Sequence, residues 1–235
     1  MTPQNHLLAA LSAGTFARVG PLLDVMPMTL KTVLHKPGEP VQHVYFPGGG
    51  FCSVLTVVAD GSMVEVATIG REGMVGVSAM IDSDSRDPSI TMVQAESNLC
   101  YRLSTGDFEA ELDRRGEFRT LIRRYVQALW GVVMQSTACN AVHSVEQRLA
   151  RWLLMAHDRV ERDEFPLTQE FAAMMLGATR PTVTVVAGTL QKAELIAYQR
   201  GRITIVDREG LEEASCECYG IATALLAAVM ITAGK

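Results

Sequence analysis

The residues with the richest chemistry lie within 166–211, PLTQEFAAMMLGATRPTVTVVAGTLQKAELIAYQRGRITIVDREGL. Thr168 and Thr179 each precede a short run with apolar residues at helical spacing, where a hydroxyl accepts from the unpaired N–H groups that open a helix. Gly177 falls between the runs, where glycine commonly ends a helix. Two short capped helices joined by a tight glycine turn are the helix-turn-helix signature. The second helix turns Val183, Val186 and Leu190 inward, and its other face begins with Arg180, Pro181, Thr184 and Val185. In this motif the amino end of the second helix enters the major groove. Arg180 can donate two bonds to a guanine edge, Thr182 or Thr184 can reach phosphate or base, and Val185 can touch a thymine methyl. Pro181 lacks an N–H, which the first helical turn does not need. Thr168 and Gln169, opening the first helix, complete the expected DNA-facing set.

Further elements position that helix. After it, 195–198 and 203–206 alternate like strands around Gln199-Arg200-Gly201-Arg202. This reads as a β-wing whose Arg200 and Arg202 rest on phosphates. Upstream, 144–160 has a helical period, and 105–137 carries a longer one. On the longer run Phe118, Ile122, Tyr125, Leu129 and Val133 form a continuous stripe. A stripe of that length commonly pairs with a second copy of itself, so these five are the expected dimerisation residues. Between residues 28 and 103, short β-rich runs at 41–46, 51–58, 63–69, 90–95 and 99–103 alternate with Gly, Pro and Asp breaks. Asp60-Gly61 has the form of a hairpin turn. Regular short strands of this kind form a small antiparallel roll or barrel. The expected architecture is therefore α+β: an antiparallel β-roll with a long dimerisation helix over 1–143, a winged helix-turn-helix over 144–213, and a C-terminal tail over 214–235.

At this point the chain resembles the Crp/Fnr family of bacterial transcription regulators. LTQEFAAMMLGATRPTVTVVAGTLQKAELI followed by RGRITIVDREGLE resembles that family's helix-turn-helix and wing, and PGEPVQHVYF and IGREGMVG look like turns of its cyclic-nucleotide-binding-type roll. The resemblance implies a cytoplasmic homodimer on a palindromic promoter site, with RNA polymerase as a further partner. A signal at the roll would alter the long helix pair and the spacing of the two recognition helices. Family members that bind cyclic nucleotides carry a Gly-Glu pair and, about ten residues on, an Arg beside Ser or Thr; arginine pairs the cyclic phosphate. Here Val77 follows Gly76, Asp87, Pro88 and Ser89 stand where the Arg-Ser pair falls, and Arg86 sits in an acidic run with Asp82, Asp84 and Asp87. The effector is therefore unknown and expected not to be cyclic AMP.

Composition narrows the alternatives. The net charge of the 235 residues is −5, so a whole-chain basic footprint is missing. Between residues 165 and 202, however, Arg180, Lys192, Arg200 and Arg202 outnumber Glu170 and Glu194, 4 − 2 = +2. The five cysteines are odd in number and widely spaced, which argues against a disulfide framework. With no cysteine before Cys52 and no CxxC, the family's iron–sulfur arrangement is not expected. His35 and His43 lack the close spacing of a cupin-type metal pair. Cys216-Glu217-Cys218 places two thiols close enough to bind metal with outside help or to act as a redox pair; they are read first as two tail cysteines without a role, and no cofactor or metal site is expected. The N-terminus lacks a basic segment followed by an apolar one, so no secretory signal is expected. The apolar run 221–233 is shorter than the roughly 20 residues that span a bilayer. No nucleophile elbow, phosphate loop or paired carboxylate suggests an enzyme. The competing reading is a small-molecule-binding or enzymatic β-roll whose helix-turn-helix serves protein interaction.

Overall fold

The computed structural model describes residues 2–81, 86 and 88–231. In chain order the elements are α1 (His6–Ala9), α2 (Ala13–Val19), β1 (Asp24–Met28), β2 (Val33–His35), β3 (His43–Pro47), β4 (Phe51–Val57), β5 (Met63–Ile69), β6 (Ile90–Ala95) and β7 (Ser97–Ser104). There follow α3 (Thr105–Asp113), α4 (Glu117–Val142), α5 (Val145–Val160), β8 (Glu164–Pro166), α6 (Gln169–Leu176), α7 (Arg180–Lys192), β9 (Ile196–Gln199), β10 (Arg202–Ile205), α8 (Arg208–Ala214) and α9 (Cys218–Ile231). The chain divides into two compact units. The first is Met1–Val54, Thr68–Gly131 and Ala224–Lys235, and the second is Leu55–Ala67 and Val132–Thr223.

The first unit holds most of the roll's strands, while 55–67, with parts of β4 and β5, belongs to the second. One sheet runs β1-β7-β3 and another β2-β6-β4-β5. The β1–β7, β3–β7 and β2–β6 pairings are antiparallel. Strand β1 lies at a sheet edge and shifts register between Met26 and Met28. That is where Pro27 is tolerated, because an edge or a bulge needs no ladder N–H from it. Inside, Met28, Tyr45, Cys52, Ile69, Val75, Val93 and Cys100 form one apolar cluster.

The first half of α4 carries four of the five residues of the expected dimer stripe. Phe118, Ile122, Tyr125 and Leu129 are all buried within their own chain. Phe118 meets Phe108 edge to face, with ring centroids 5.8 Å apart. The Tyr125 hydroxyl donates to the Met74 carbonyl at 3.1 Å. The ring lies so close to Gly73 that a Cβ there would stand 2.3 Å from its oxygen. Helical periodicity reveals that a face is covered, but not by what; here the roll covers it. The exposed face of this stretch instead carries Arg123, Gln127 and Trp130, the last 66% exposed.

The second unit is mostly helical. Val133 is half-buried on α4. Helix α5 opens with a capping box, Ser144 accepting from Gln147 N while the Gln147 side chain accepts from Ser144 N. It buries Leu149, Trp152, Leu153 and Ala156 together with Arg148, Arg151 and Arg159. The Trp152 indole donates to Glu65 Oε1 at 2.7 Å on the β4–β5 hairpin. Strands β8, β10 and β9 form a three-stranded sheet in that order. The segment expected as a tail is helical in its described part, entering α9 at Cys218. Among the described residues no single helix is long and apolar enough to cross a membrane.

Candidate nucleic-acid interface

The helix pair forms as its local chemistry dictates. Thr168 caps α6 by accepting from Phe171 N, and Thr179 caps α7 by accepting from Thr182 N. Gly177 ends α6 at φ +54, a left-handed conformation that a Cβ makes costly. Its N–H bonds the Met174 carbonyl, and the next N–H, of Ala178, bonds the Ala173 carbonyl. The buried Arg148 of α5 donates to the Leu176 carbonyl, placing a cation at the negative end of α6. Helix α7 buries Val183, Ala187 and Leu190. Ala187 is thus the middle member of the inner stripe, and Val186 is only half-buried.

The outer face is open. Arg180, Pro181, Thr184 and Val185 are exposed, Val185 at 69%. Arg180 forms an ion pair of 2.8 Å with Glu170, both side chains more than 60% exposed (62% and 64%). Thr184 donates from its hydroxyl to Gln169 Oε1 at 2.9 Å, and the same hydroxyl lies 3.0 Å from the Arg180 carbonyl. Thr182 sits 2.9 Å, oxygen to oxygen, from the capping Thr179 hydroxyl. Gln169, Arg180 and Thr184 therefore share one corner where α6 meets the start of α7, with Thr168 exposed at the head of α6.

The wing is a two-residue hairpin. Arg200 at φ +50 and Gly201 at φ +75 turn β9 into β10, with Gln199 paired to Arg202. Two successive positive φ values match the right-handed twist of the flanking strands. Arg200 is exposed at the tip, and Arg202 pairs with Glu164 on β8 at 2.5 Å. Tyr198 donates to the Leu167 carbonyl at 2.8 Å, binding wing to helix-turn-helix. Burial, and then the nearby Glu170 charge, raise its phenol pKa above the ordinary value.

Sequence reasoning missed the partners of these cations. Glu170 is counted there only as an anion and Glu164 falls outside the counted stretch, and nothing in the linear spacing links Glu164 to Arg202 or Glu170 to Arg180. It also missed β8 and the buried arginines of α5. On the roll, Gly76 adopts φ +93 ahead of the 3-10 turn Val77–Met80. The exposed Arg86 donates to the Gly38 carbonyl at 2.6 Å. Asp82, Asp84 and Asp87 lie outside the described residues.

Comparison with known proteins agrees with this geometry. The family model for the Crp-like helix-turn-helix domain matches residues 147–214, and that for the cyclic nucleotide-binding domain matches residues 28–115. The chain belongs to the Crp/Fnr family of bacterial transcription regulators. It is 24% identical over 209 residues to a global nitrogen regulator of Synechocystis sp., covering 82% of this chain and 90% of that protein. A transcriptional regulator of the crp/fnr family from Eubacterium rectale superposes with a TM-score of 0.69 at 19% identity, covering 88% of this chain and 96% of that one. The c-di-GMP responsive global regulator CLP of Xanthomonas campestris gives 0.67 at 16% identity, covering 83% and 99%. At such identities the structural likeness speaks for the fold.

Proposed function

We propose that this regulator acts in the cytoplasm as a homodimer that inserts the amino end of α7 into the major groove at each half of a palindromic promoter site. The observation that carries the reading is the division of α7 into a buried face and an exposed one, with Arg180 at its first turn. Arg180 reads a guanine edge and Val185 a thymine methyl. Thr179, Pro181 and Thr182 line the entry to the groove, and Thr184 and Gln169 act as a joined pair beside it. Thr168, Arg200 and Arg202 approach phosphates, which fix register. Glu170 and Glu164 hold Arg180 and Arg202 until DNA replaces them; both pairs are solvent-exposed and cheap to break.

Self-association uses the exposed side of α4, centred on Trp130, rather than the buried stripe. Large aromatic residues are favoured as interface anchors. The effector is not cyclic AMP: Val77 replaces the ribose-holding glutamate, and Arg86 is turned to a backbone carbonyl. The similar proteins named above include one responsive to c-di-GMP and one named for nitrogen regulation. The DNA-bound dimer would then meet RNA polymerase at the promoter. The test is a fluorescence-anisotropy titration of duplexes with the purified chain at several salt concentrations. The reading requires sequence preference and a steep fall in affinity with salt; flat, sequence-blind binding refutes it.

A further inference from the structure

The end of α4 and the α8–α9 junction bring four metal-ligating side chains together inside the second unit. Cys139 lies in the last turns of α4, and His143 follows its end, four residues on and on the same side of the helix. Cys216 lies beyond α8, and Cys218 opens α9. The Cys139 and Cys216 sulfurs are 3.5 Å apart. The Cys218 sulfur is 3.6 Å from His143 Nδ1. One ligand atom from each of the four residues lies within 4.8 Å of the others. A tetrahedral ion with ordinary zinc–sulfur and zinc–nitrogen bonds separates two sulfurs by about 3.8 Å and sulfur from nitrogen by about 3.6 Å. The Cys139–Cys216 and Cys218–His143 separations are already close to those values, and the other ligand pairs stay within 4.8 Å. A cluster of several irons would spread its ligands further, so the space fits one ion.

The surroundings match as well. His143 points its other nitrogen, Nε2, at the Glu217 carboxylate, 3.2 Å away. Metal-bound histidines are ordinarily held in this way by a carboxylate. Gln135 donates its amide to the Cys218 sulfur at 3.1 Å. All three cysteines are buried and unbridged. Burial raises the Cys139 and Cys216 thiols above their ordinary pKa. Three cysteines packed only as small apolar residues would not need a histidine nitrogen directed at one of them and a carboxylate behind it.

We propose that Cys139, His143, Cys216 and Cys218 form a four-ligand site for one zinc-class divalent cation. Thiolate and imidazole ligands select such ions over magnesium or calcium. On loading, each thiol gives its proton to solvent and binds as thiolate through sulfur, while neutral His143 binds through Nδ1. Three thiolates and a dication leave one negative charge. It faces the buried Arg148 and Arg151, each of whose Nε atoms makes no hydrogen bond among the described residues. The ion joins the segments on either side of the winged domain and fixes its base. This site does not depend on the DNA-binding reading. The sequence pattern alone assigns no metal here, because 72 residues, 144 to 215, lie between His143 and Cys216.

The test is a cobalt(II) titration of the reduced, chelator-treated full chain, followed by absorbance. The expected result is one cobalt per chain with the intense visible bands of a tetrahedral thiolate site, displaced by one equivalent of zinc. Cys218→Ser should abolish those bands. Glu217→Gln changes only a solvent-facing carboxylate and should keep them while weakening affinity roughly 10–100-fold. Wild-type protein without tetrahedral bands overturns the proposal. So does equal cobalt affinity in wild type and both variants, or protein purified with a Cys139–Cys216 disulfide that takes up no metal once that bond has been reduced.

Discussion

Replacing Arg180 with alanine separates recognition from folding. Arg180 and Glu170 are 62% and 64% exposed, so their ion pair contributes at most about 1 kcal/mol to stability, and the variant should melt close to wild type. A bidentate arginine–guanine contact discriminates by roughly 1–3 kcal/mol. Two copies on a palindrome bring about 2–6 kcal/mol, or about 30-fold to 20,000-fold in affinity at roughly 1.4 kcal/mol per tenfold. The loss should be confined to sites carrying the contacted guanine. The dependence of log affinity on log salt should hardly change, because a base contact releases few counterions. Arg200→Ala should do the reverse: weaken all duplexes alike and lower the salt slope by about one for each phosphate that the arginine neutralises. Glu170→Gln should tighten binding, since it frees Arg180 and removes an anion facing phosphate. Anisotropy titrations of the three variants at matched salt give all these quantities. If Arg180→Ala binds its best site within threefold of wild type while remaining folded, the end of α7 does not read DNA.

Three further perturbations test the structure around the interface, and a fourth tests a pH effect. Ile122→Ala should destabilise the chain by about 2–5 kcal/mol at any protein concentration, because its side chain is fully buried within the chain. Trp130→Ala should leave the melting of the isolated chain alone and weaken self-association by about 2 kcal/mol, roughly thirtyfold, in sedimentation equilibrium; the opposite pattern would restore the buried stripe as the interface. Gly177→Ala should cost about 1–2 kcal/mol in chemical denaturation through its positive φ alone, since the nearest neighbour of a new Cβ, Val64, is an ordinary 3.6 Å away. At Ser12, hydrogen bonds from its hydroxyl and from Thr15 hold the Glu117 carboxyl below its ordinary pKa. A depressed carboxylate contributes stability that is present above the unfolded-state pKa, about 4.3, and lost as pH falls through the folded value. Ser12→Ala should therefore cost about 1 kcal/mol at pH 7 and progressively less below about pH 4 in urea melts; a gap that widens in acid contradicts this.

Local chemistry was legible where it is short-range. Thr168, Gly177 and Thr179 announce two helices and a turn because caps and positive-φ residues act within a few positions. Arg200-Gly201 announces the wing turn for the same reason. On α4 the stripe from Phe118 to Leu129 marks a covered face, but periodicity cannot name what lies against it within the chain, such as Phe108 and the Met74 carbonyl. Strand β1 escaped because Pro27 reads as a break unless the strand is known to be an edge. The Glu170–Arg180 and Glu164–Arg202 pairs and the Cys139–His143–Cys216–Cys218 cluster escaped because they exist only after folding. The close pair Cys216 and Cys218 was the visible hint of the cluster, and it is weak without the distant Cys139 and His143.

The most direct measurement is in vitro selection of duplexes from a random pool by the wild-type chain, followed by guanine-methylation interference on the selected site. The account predicts an inverted repeat with half-site centres about one helical turn, roughly 34 Å, apart. Each half-site should contain a guanine whose major-groove methylation blocks wild-type binding and makes no difference to Arg180→Ala. Failure to enrich any inverted repeat, or an interference pattern identical in wild type and Arg180→Ala, would contradict it.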